Sequence, residues 1–405
     1  MKTFALFLGA VFAATPLLAE HGLPNARRKL VESLADARSF WTTAEDHAPL
    51  RHSLGMQLMR WDLLSRFGDA QLSAFAADST AKIMLKRVLS SRELLETFLY
   101  SGELLRPYET LKALVAIVRQ CPDCLAESGT ARIALACALE YGKSRDDDPA
   151  RAVACYAFFA EKVAAQTLDP GFETLPPWAV RVVAGAVFSN PLLTLSSLRW
   201  LHENERGSAA DYAGRVRSSL PAFRPGANAA VYGDNKALFV KREGSTACGA
   251  CIYAAAAASA MGIPAVTLLE PGCASARLWN GREWVYMGRG QTHAEGHRMQ
   301  WRTWAWGDKF DFLLLAQRVY GDERAATLAA DYWGAAARLT LSLGGNPAPM
   351  YNKALRLQPL HVGLWREYLR ALENTPEARE KAVEELNRTV GAFSPPVMGA
   401  VLSDR

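Results

Sequence analysis

After its first nineteen residues the sequence lacks a long apolar run, and the whole chain shows no marked excess of charge of either sign. Its 405 residues contain 46 Lys and Arg against 41 Asp and Glu, for a formal net charge of +5. The longest basic run is Arg27-Arg28-Lys29, which is typical of a solvated helix start. Spanning a bilayer takes about 20 apolar residues. We therefore expect neither a nucleic-acid partner nor a membrane span.

The first nineteen residues have the pattern of a secretory signal peptide. Lys2 supplies the positive start, Phe4 to Ala14 the apolar stretch, and Leu17-Leu18-Ala19 a cleavage site. No cysteine follows that cleavage site, which argues against a lipoprotein. The pattern predicts an exported protein, periplasmic or secreted. Export would place its seven cysteines in an oxidising compartment.

Half of the residues are hydrophobic, which is ample for large cores. Apolar residues recur at three- and four-residue spacing from about Pro24 to Arg217, as in amphipathic helices. Pro347 to Leu372 pairs two such helices around a Pro turn and resembles a tetratricopeptide-type hairpin, although one such unit cannot bury its face alone. We predict an α+β fold that is mostly helical. The predicted parts are a signal peptide over 1–19, stacked helix pairs over 20–225, a small antiparallel β core over 226–310 and a tetratricopeptide-like segment over 311–405.

The stretch Gly244 to Gly288 contains three of the seven cysteines. Ser245 and Thr246 can cap a helix that begins near Cys248, and Gly262 followed by a proline ends it. No charged residue lies between Cys248 and Met261, so we expect this helix to be buried. A short strand is predicted before it, at Leu238-Phe239-Val240, and a buried strand after it, at Val266 to Leu269.

Asn280-Gly281 is a strong hairpin signal and predicts a two-residue loop. That loop length fixes the register of the two strands that flank it. It pairs Trp279 with Arg282, Arg277 with Trp284, Ser275 with Tyr286 and Cys273 with Gly288.

A thiol at a helix start, packed on an antiparallel sheet, is a common setting for a cysteine nucleophile, because the helix N-terminus stabilises a thiolate. Cys248, the small-residue helix after it, the turn Gly262-Ile263-Pro264-Ala265 and the hairpin with Trp284 resemble the transglutaminase-like superfamily. The resemblance is to large exported bacterial members with helical flanking regions, and it covers about a fifth of the chain. It implies a papain-like core with a Cys-His-Asp site. The spacing from Cys248 to the Gly-Ile-Pro turn is one residue short, which makes Cys251 the alternative nucleophile.

Two of the three triad positions that the resemblance implies are not matched. Cys273 stands where the family has His, and Gly288 stands where it has Asp. A thiol cannot act as an imidazole base, and a glycine cannot orient one. His293 and His297 are candidate substitute bases if either lies within hydrogen-bond reach of Cys248; otherwise they are exposed loop residues.

The cysteines leave several interpretations open. The implied site brings the sulfurs of Cys248 and Cys273 close enough for a disulfide, and Cys121 and Cys124 suit a local one. The two C-x-x-C pairs could instead form a zinc site, but they are far apart in sequence and lack a knuckle sequence. A redox pair at Cys248 and Cys251 is conceivable, although no thioredoxin-like strand pattern surrounds it. Two further cysteines, Cys137 and Cys155, lie on apolar helix faces and are predicted to be buried thiols.

Three tryptophans, Trp284, Trp301 and Trp304, can either stack on sugar rings or cover the edge of the sheet. The leading hypothesis is an exported protein with a degenerate, inactive transglutaminase-like domain that binds an unknown peptide, glycan or protein partner, or serves as a scaffold. The alternative is an active cysteine peptidase, amidase or transglutaminase that uses Cys248 with His293 or His297 as its base. No metal and no cofactor are predicted.

Overall fold

The computed structural model describes residues 22–36, 53–144, 148–207, 212, 220–221, 224, 228–270, 273–287, 297–299 and 307–403. Over these residues the protein has an α+β fold, mostly helical with a small antiparallel sheet, as predicted. No helix in the described ranges is long and apolar enough to cross a bilayer. The predicted signal peptide lies outside them.

The helices and strands are numbered in chain order. The helices before the sheet are α1 (Gly22–Asp36), α2 (Ser53–Ser65), α3 (Asp69–Ala77), α4 (Ser79–Ser90), α5 (Arg92–Tyr100), α6 (Pro107–Gln120), α7 (Ser128–Lys143), α8 (Ala150–Ala164), α9 (Pro177–Ser189), α10 (Leu195–Asn204), α11 (Lys236–Glu243) and α12 (Ala247–Ala260). The strands are β1 (Ala265–Glu270), β2 (Cys273–Trp279), β3 (Trp284–Tyr286) and β4 (Arg298–Met299). The helices after the sheet are α13 (Phe310–Gln317), α14 (Arg324–Ser342), α15 (Ala348–Leu357), α16 (Val362–Ala371), α17 (Pro376–Leu386) and α18 (Pro395–Ser403).

Several helices begin where a polar side chain satisfies the first backbone N–H groups. The Asp78 carboxylate accepts from the backbone N–H of Ala81 at 3.0 Å before α4, and the Ser91 hydroxyl accepts from that of Leu94 at 3.3 Å before α5. Such a cap stabilises a helix by about 1 kcal/mol. These starts are therefore set by local sequence.

By its contacts the chain divides into two compact units, one formed by Met1–Glu103 with Arg318–Arg405, the other by Leu104–Gln317. This grouping differs from the sequence-based division at 225 and 310. It joins both ends of the chain because α14 packs on α2 and α5. The fully buried carboxylate of Asp62 on α2 accepts from Arg338 on α14, with Nε–Oδ1 at 3.0 Å and Nη2–Oδ2 at 2.7 Å.

In the second unit, α12 packs on β1 and β2, while α9 and α10 pack on α12. The sheet is antiparallel throughout, in the order β3-β2-β1-β4. The expected burial of α12 is confirmed, since the residues from Tyr253 to Ala258 are at most 2% exposed. Their small side chains let the helix approach the strands closely.

The turn from α12 into β1 is closed by glycine. Gly262 has φ +80°, its N–H donates to the carbonyl of Ser259, and the N–H of Ile263 donates to that of Ala258, both at 3.0 Å. This is the Schellman pattern of a helix C-terminus. It turns the chain back so that β1 runs antiparallel to α12.

Two predictions about local structure are wrong. The segment Leu238-Phe239-Val240 is not a strand but part of α11, which is capped by the Asn235 side chain accepting from the N–H of Leu238 at 3.0 Å. Three apolar residues in a row do not distinguish a strand from a helix, and the cap decides it.

The hairpin register is the second correction. Trp279 pairs with Trp284 and Arg277 with Tyr286, so the loop has four residues instead of two. The Asn280 side chain accepts from the backbone N–H groups of Arg282 and Glu283, both at 2.9 Å, which stabilises the wider loop. The predicted pairing of Cys273 with Gly288 rested on the two-residue loop and is lost with it. Gly288 itself lies outside the described residues.

Candidate functional site

Cys248 lies in the first turn of α12. The Thr246 hydroxyl caps this helix by accepting from the N–H of Gly249 at 3.2 Å. An ideal Cβ at Gly249 would lie 1.7 Å from the Ser245 hydroxyl oxygen, so a larger residue there would require the Ser245 side chain to rotate away. The Cys248 thiol is free and half-buried. The predicted placement of a thiol at a capped helix start is therefore confirmed.

The second cysteine of this helix faces the sheet. The Cys251 thiol donates to the carbonyl of Ala274 at 3.2 Å, and the hydroxyl of Thr267 donates to the carbonyl of Cys251 at 3.3 Å. Only 1% of Cys251 is exposed. A substrate therefore cannot reach this sulfur, and Cys248, which is half-buried, is the more accessible thiol of the helix.

The strand residues that face α12 are small or apolar. Thr267 faces the helix and pairs with Ala276, and alternation along β2 puts Ala274 and Leu278 on the same side. The polar Ser275 and Arg277 belong to the opposite face. Among the described residues, none forms a hydrogen bond with the Cys248 thiol.

Neither predicted disulfide is formed in the structure. The sulfurs of Cys121, Cys124 and Cys248 all remain thiols. Cys121 and Cys124 follow α6 in a tight turn closed by the N–H of Cys124 and the carbonyl of Cys121 at 3.0 Å, and Cys121 is partly exposed while Cys124 is buried. Cys273 begins β2 and pairs with Glu270; its side chain lies outside the described residues.

Of the two candidate bases, His297 is described and His293 is not. His297 immediately precedes β4, is half-buried, and accepts from the N–H of Phe310 through its carbonyl at 2.9 Å. Because Leu269 pairs with Arg298, one further step of the register puts His297 level with Glu270. Since α12 is antiparallel to β1, its first turn with Cys248 lies towards the same end of the sheet.

Trp284 belongs to a packed aromatic cluster. Its ring centroid lies 5.8 Å from that of Trp279 and 5.7 Å from that of Phe310, and Trp279 in turn lies 5.7 Å from Trp178 on α9. Trp284 is half-buried. These contacts make it a cover for the sheet edge more than a free platform for sugars. Trp301 and Trp304 lie outside the described residues.

The first unit contains a cavity that sequence analysis missed. It has a volume of about 540 Å³ and lies among α15, α16 and α17. Leu355, Trp365 and Tyr368 line it with apolar surface, and Arg356 and Lys381 contribute positive charge. Glu385 also lines it and pairs with Arg388 at the surface. The helix-hairpin signal predicted α15 and α16, whereas the cavity also needs α17 packed against them.

In the described part of the chain, no group of three or more His, Cys, Asp or Glu side chains is arranged to hold a metal ion. No protein-family model, curated protein or solved structure matches this chain.

Proposed function

We propose that this is an exported protein that acts by binding a partner, and that its transglutaminase-like core has lost cysteine catalysis. One observation supports the proposal above others. Cys248 keeps the nucleophile position at the capped start of α12, while the strand residues facing this helix are Thr267, Ala274 and Ala276. None of these side chains can accept a proton from a thiol at neutral pH.

The missing base has a large chemical consequence. General-base assistance contributes about 10²–10⁴-fold to a reaction, and it requires a heavy-atom distance of about 2.6–3.2 Å or one bridging water. A cysteine at position 273, where the resemblance requires His, lacks the imidazole that serves as a base near neutral pH. Acyl transfer through Cys248 would then lack the general-base assistance that a papain-like site obtains from its imidazole.

The cavity in the first unit supports a binding role. Its volume falls within the range of about 300–1,000 Å³ that ligand sites occupy. The apolar floor from Trp365 and Tyr368, with the positive charges of Arg356 and Lys381, suits a peptide segment with an acidic group beside an apolar side chain. The tetratricopeptide likeness of α15 and α16 belongs to the same proposal.

The catalytic half of the proposal is tested by alkylation of Cys248 in the full chain. Iodoacetamide modification is followed between pH 6 and 8 and located by peptide fragmentation. Without a neighbouring base, the rate rises about tenfold per pH unit because only the thiolate reacts. Amine incorporation and amide hydrolysis should be no faster for the native protein than for Cys248→Ala. Turnover that disappears in Cys248→Ala would refute the proposal.

The second candidate function is a cysteine enzyme with a relocated base. The position of His297, level with Glu270 at the sheet end towards which Cys248 lies, favours it. In that case alkylation of Cys248 is nearly independent of pH, and His297→Gln restores the tenfold rise per unit. An identical profile in the native protein and in His297→Gln eliminates His297 as the base.

The binding half is tested with fluorescent peptides of opposite net charge. Acidic peptides with an aromatic residue should bind more tightly than their basic counterparts. Lys381→Glu should weaken this binding about tenfold, whereas Lys82→Glu, an exposed lysine on α4 that does not line the cavity, should leave it unchanged. Equal affinity for acidic and basic peptides would contradict binding in this cavity.

A further inference from the structure

Two buried cysteines on consecutive helices are in direct contact. Cys137 on α7 and Cys155 on α8 are each 0% exposed, as the sequence predicted for buried thiols. The Cys137 thiol donates to the Cys155 sulfur at an Sγ–Sγ distance of 3.4 Å. A disulfide bond is about 2.05 Å long. The sulfurs would therefore have to approach each other by about 1.4 Å to reach bonding distance.

The chemistry of the closed core limits when such a bond can form. Burial raises the pKa of the Cys137 thiol well above its usual value, and the contact with Cys155 and the nearby Glu140 carboxylate raise it further. Both sulfurs are 0% exposed, so a disulfide oxidant cannot reach the folded, reduced pair, and only a thiolate attacks such an oxidant. Oxidation must occur while α7 and α8 are still coming together.

We propose that Cys137 and Cys155 become a disulfide when the chain folds in an oxidising compartment. In the first step, one cysteine thiolate attacks a low-molecular-weight or protein disulfide, forms a mixed disulfide and releases one thiolate. The second cysteine thiolate then attacks the protein sulfur of that mixed disulfide and releases the second. The two cysteines lose two protons and two electrons, and the oxidant becomes two thiols.

The disulfide would link α7 to α8, and α7 contacts the helix on which α12 packs. Cys137 and Glu140 share α7, and the Glu140 carboxylate accepts from Arg181 Nε on α9 at 2.8 Å, with both side chains 2% exposed. Helix α9 packs in turn on α12, which carries Cys248. The cross-link therefore stabilises the support of α12 and does not depend on whether Cys248 is catalytic. Its occurrence in the cell rests on the predicted export.

The test is refolding of the full chain in a glutathione redox buffer, followed by alkylation of free thiols in denaturant and tryptic mapping. Cleavage at Arg and Lys gives one peptide over 133–143 that contains only Cys137 and one over 152–162 that contains only Cys155. We expect these two peptides to be linked in more than half of the refolded protein. Folded, reduced protein exposed to the same buffer should acquire the link at least tenfold more slowly.

Two variants serve as controls. Cys155→Ser should abolish the linked pair and leave Cys137 alkylated, whereas a variant with Ser at both Cys121 and Cys124 should retain the link. Recovery of both peptides singly alkylated after oxidative refolding would overturn the proposal. If refolding yields no soluble protein, the same mapping of protein exported to the periplasm of an expression host decides the question, with the same two outcomes.

Discussion

Replacement of Gly262 by alanine probes the turn that sets α12 over the sheet. Gly262 has φ +80°, and an ideal Cβ would lie 2.7 Å from Phe172 Cδ2 and 3.0 Å from Phe172 Cγ. Phe172 is 2% exposed and stacks on Phe159 with centroids 5.9 Å apart, so its ring has little room to retreat. A methyl group here meets both an unfavourable backbone conformation and an occupied space.

The expected loss of stability has two parts. A left-handed conformation costs a non-glycine residue about 1–2 kcal/mol, and inserting atoms into a packed core costs typically about 1–3 kcal/mol. Gly281 supplies the matched control, because it has φ +96° in the same unit but no atom within 4 Å of its ideal Cβ. The loss of unfolded-state entropy on replacing Gly by Ala, about 0.4–1 kcal/mol, is common to both variants. Gly262→Ala should therefore be about 1–3 kcal/mol less stable than Gly281→Ala.

Urea unfolding followed by circular dichroism and tryptophan fluorescence measures the difference. A second readout is the thiol of Cys251, which is 1% exposed and should alkylate faster in Gly262→Ala as α12 loosens. Equal stability of the two variants, with Cys251 still protected in both, would refute the assignment of a closed Phe172 contact behind Gly262.

Two further predictions concern titratable groups. Burial lowers the pKa of His202, although its Nε2 donates to the carbonyl of Thr167 at 3.1 Å. The unfolded chain, with an ordinary pKa near 6.5, therefore binds a proton first as pH falls, so stability to urea should drop between pH 7.5 and 5.5 and drop less in His202→Gln. A parallel drop in both proteins would exclude His202 as the cause. Asp62→Asn removes the fully buried carboxylate that Arg338, itself 20% exposed and also paired with Glu367, binds through two nitrogens, and it should cost about 3 kcal/mol, whereas Asp69→Asn, which removes a carboxylate that is 71% exposed, should cost at most about 1 kcal/mol. Similar urea midpoints for these two variants would contradict the role assigned to the buried pair.

The elements that the sequence predicts well are those set by a few adjacent residues. Thr246 caps α12 and Gly262 ends it, and both act through a side chain or backbone freedom within three or four residues of the helix end. The prediction of a strand at Leu238-Phe239-Val240 is wrong because the residue that decides the local structure lies outside these three. The Asn235 cap outside that triplet decides for a helix, and the triplet alone has no helical or strand period.

The hairpin shows how a correct local signal can give a wrong register. Asn280-Gly281 marks the turn, and Gly281 does take a positive φ. The loop length, however, is decided by the side-chain bonds of Asn280 and by the cross-strand contact of Trp279 with Trp284 at 5.8 Å. Aromatic cross-strand pairs stabilise a sheet by about 0.2–1 kcal/mol, enough to choose between two loops of similar energy.

Features that join distant parts of the chain could not be predicted from the sequence. The Asp62–Arg338 pair links residues 276 positions apart, and the contact of Cys137 with Cys155 depends on how α7 and α8 rotate about their axes. The spacing of apolar residues along the sequence predicts neither contact. The cavity beside Trp365 is of the same kind, because three separate helices enclose it.

The resemblance at Gly262-Ile263-Pro264 has a physical origin that is independent of catalysis. Glycine at this position closes the Schellman pattern, and proline two residues later prevents the helix from continuing into β1. Any helix that ends and returns as an antiparallel strand benefits from the same residues. These turn residues therefore explain the connection from helix to strand, and they are not evidence for catalysis. The two functions proposed for this protein differ in whether Cys248 has a proton acceptor. The pH dependence of Cys248 alkylation, measured with and without His297, addresses that difference directly.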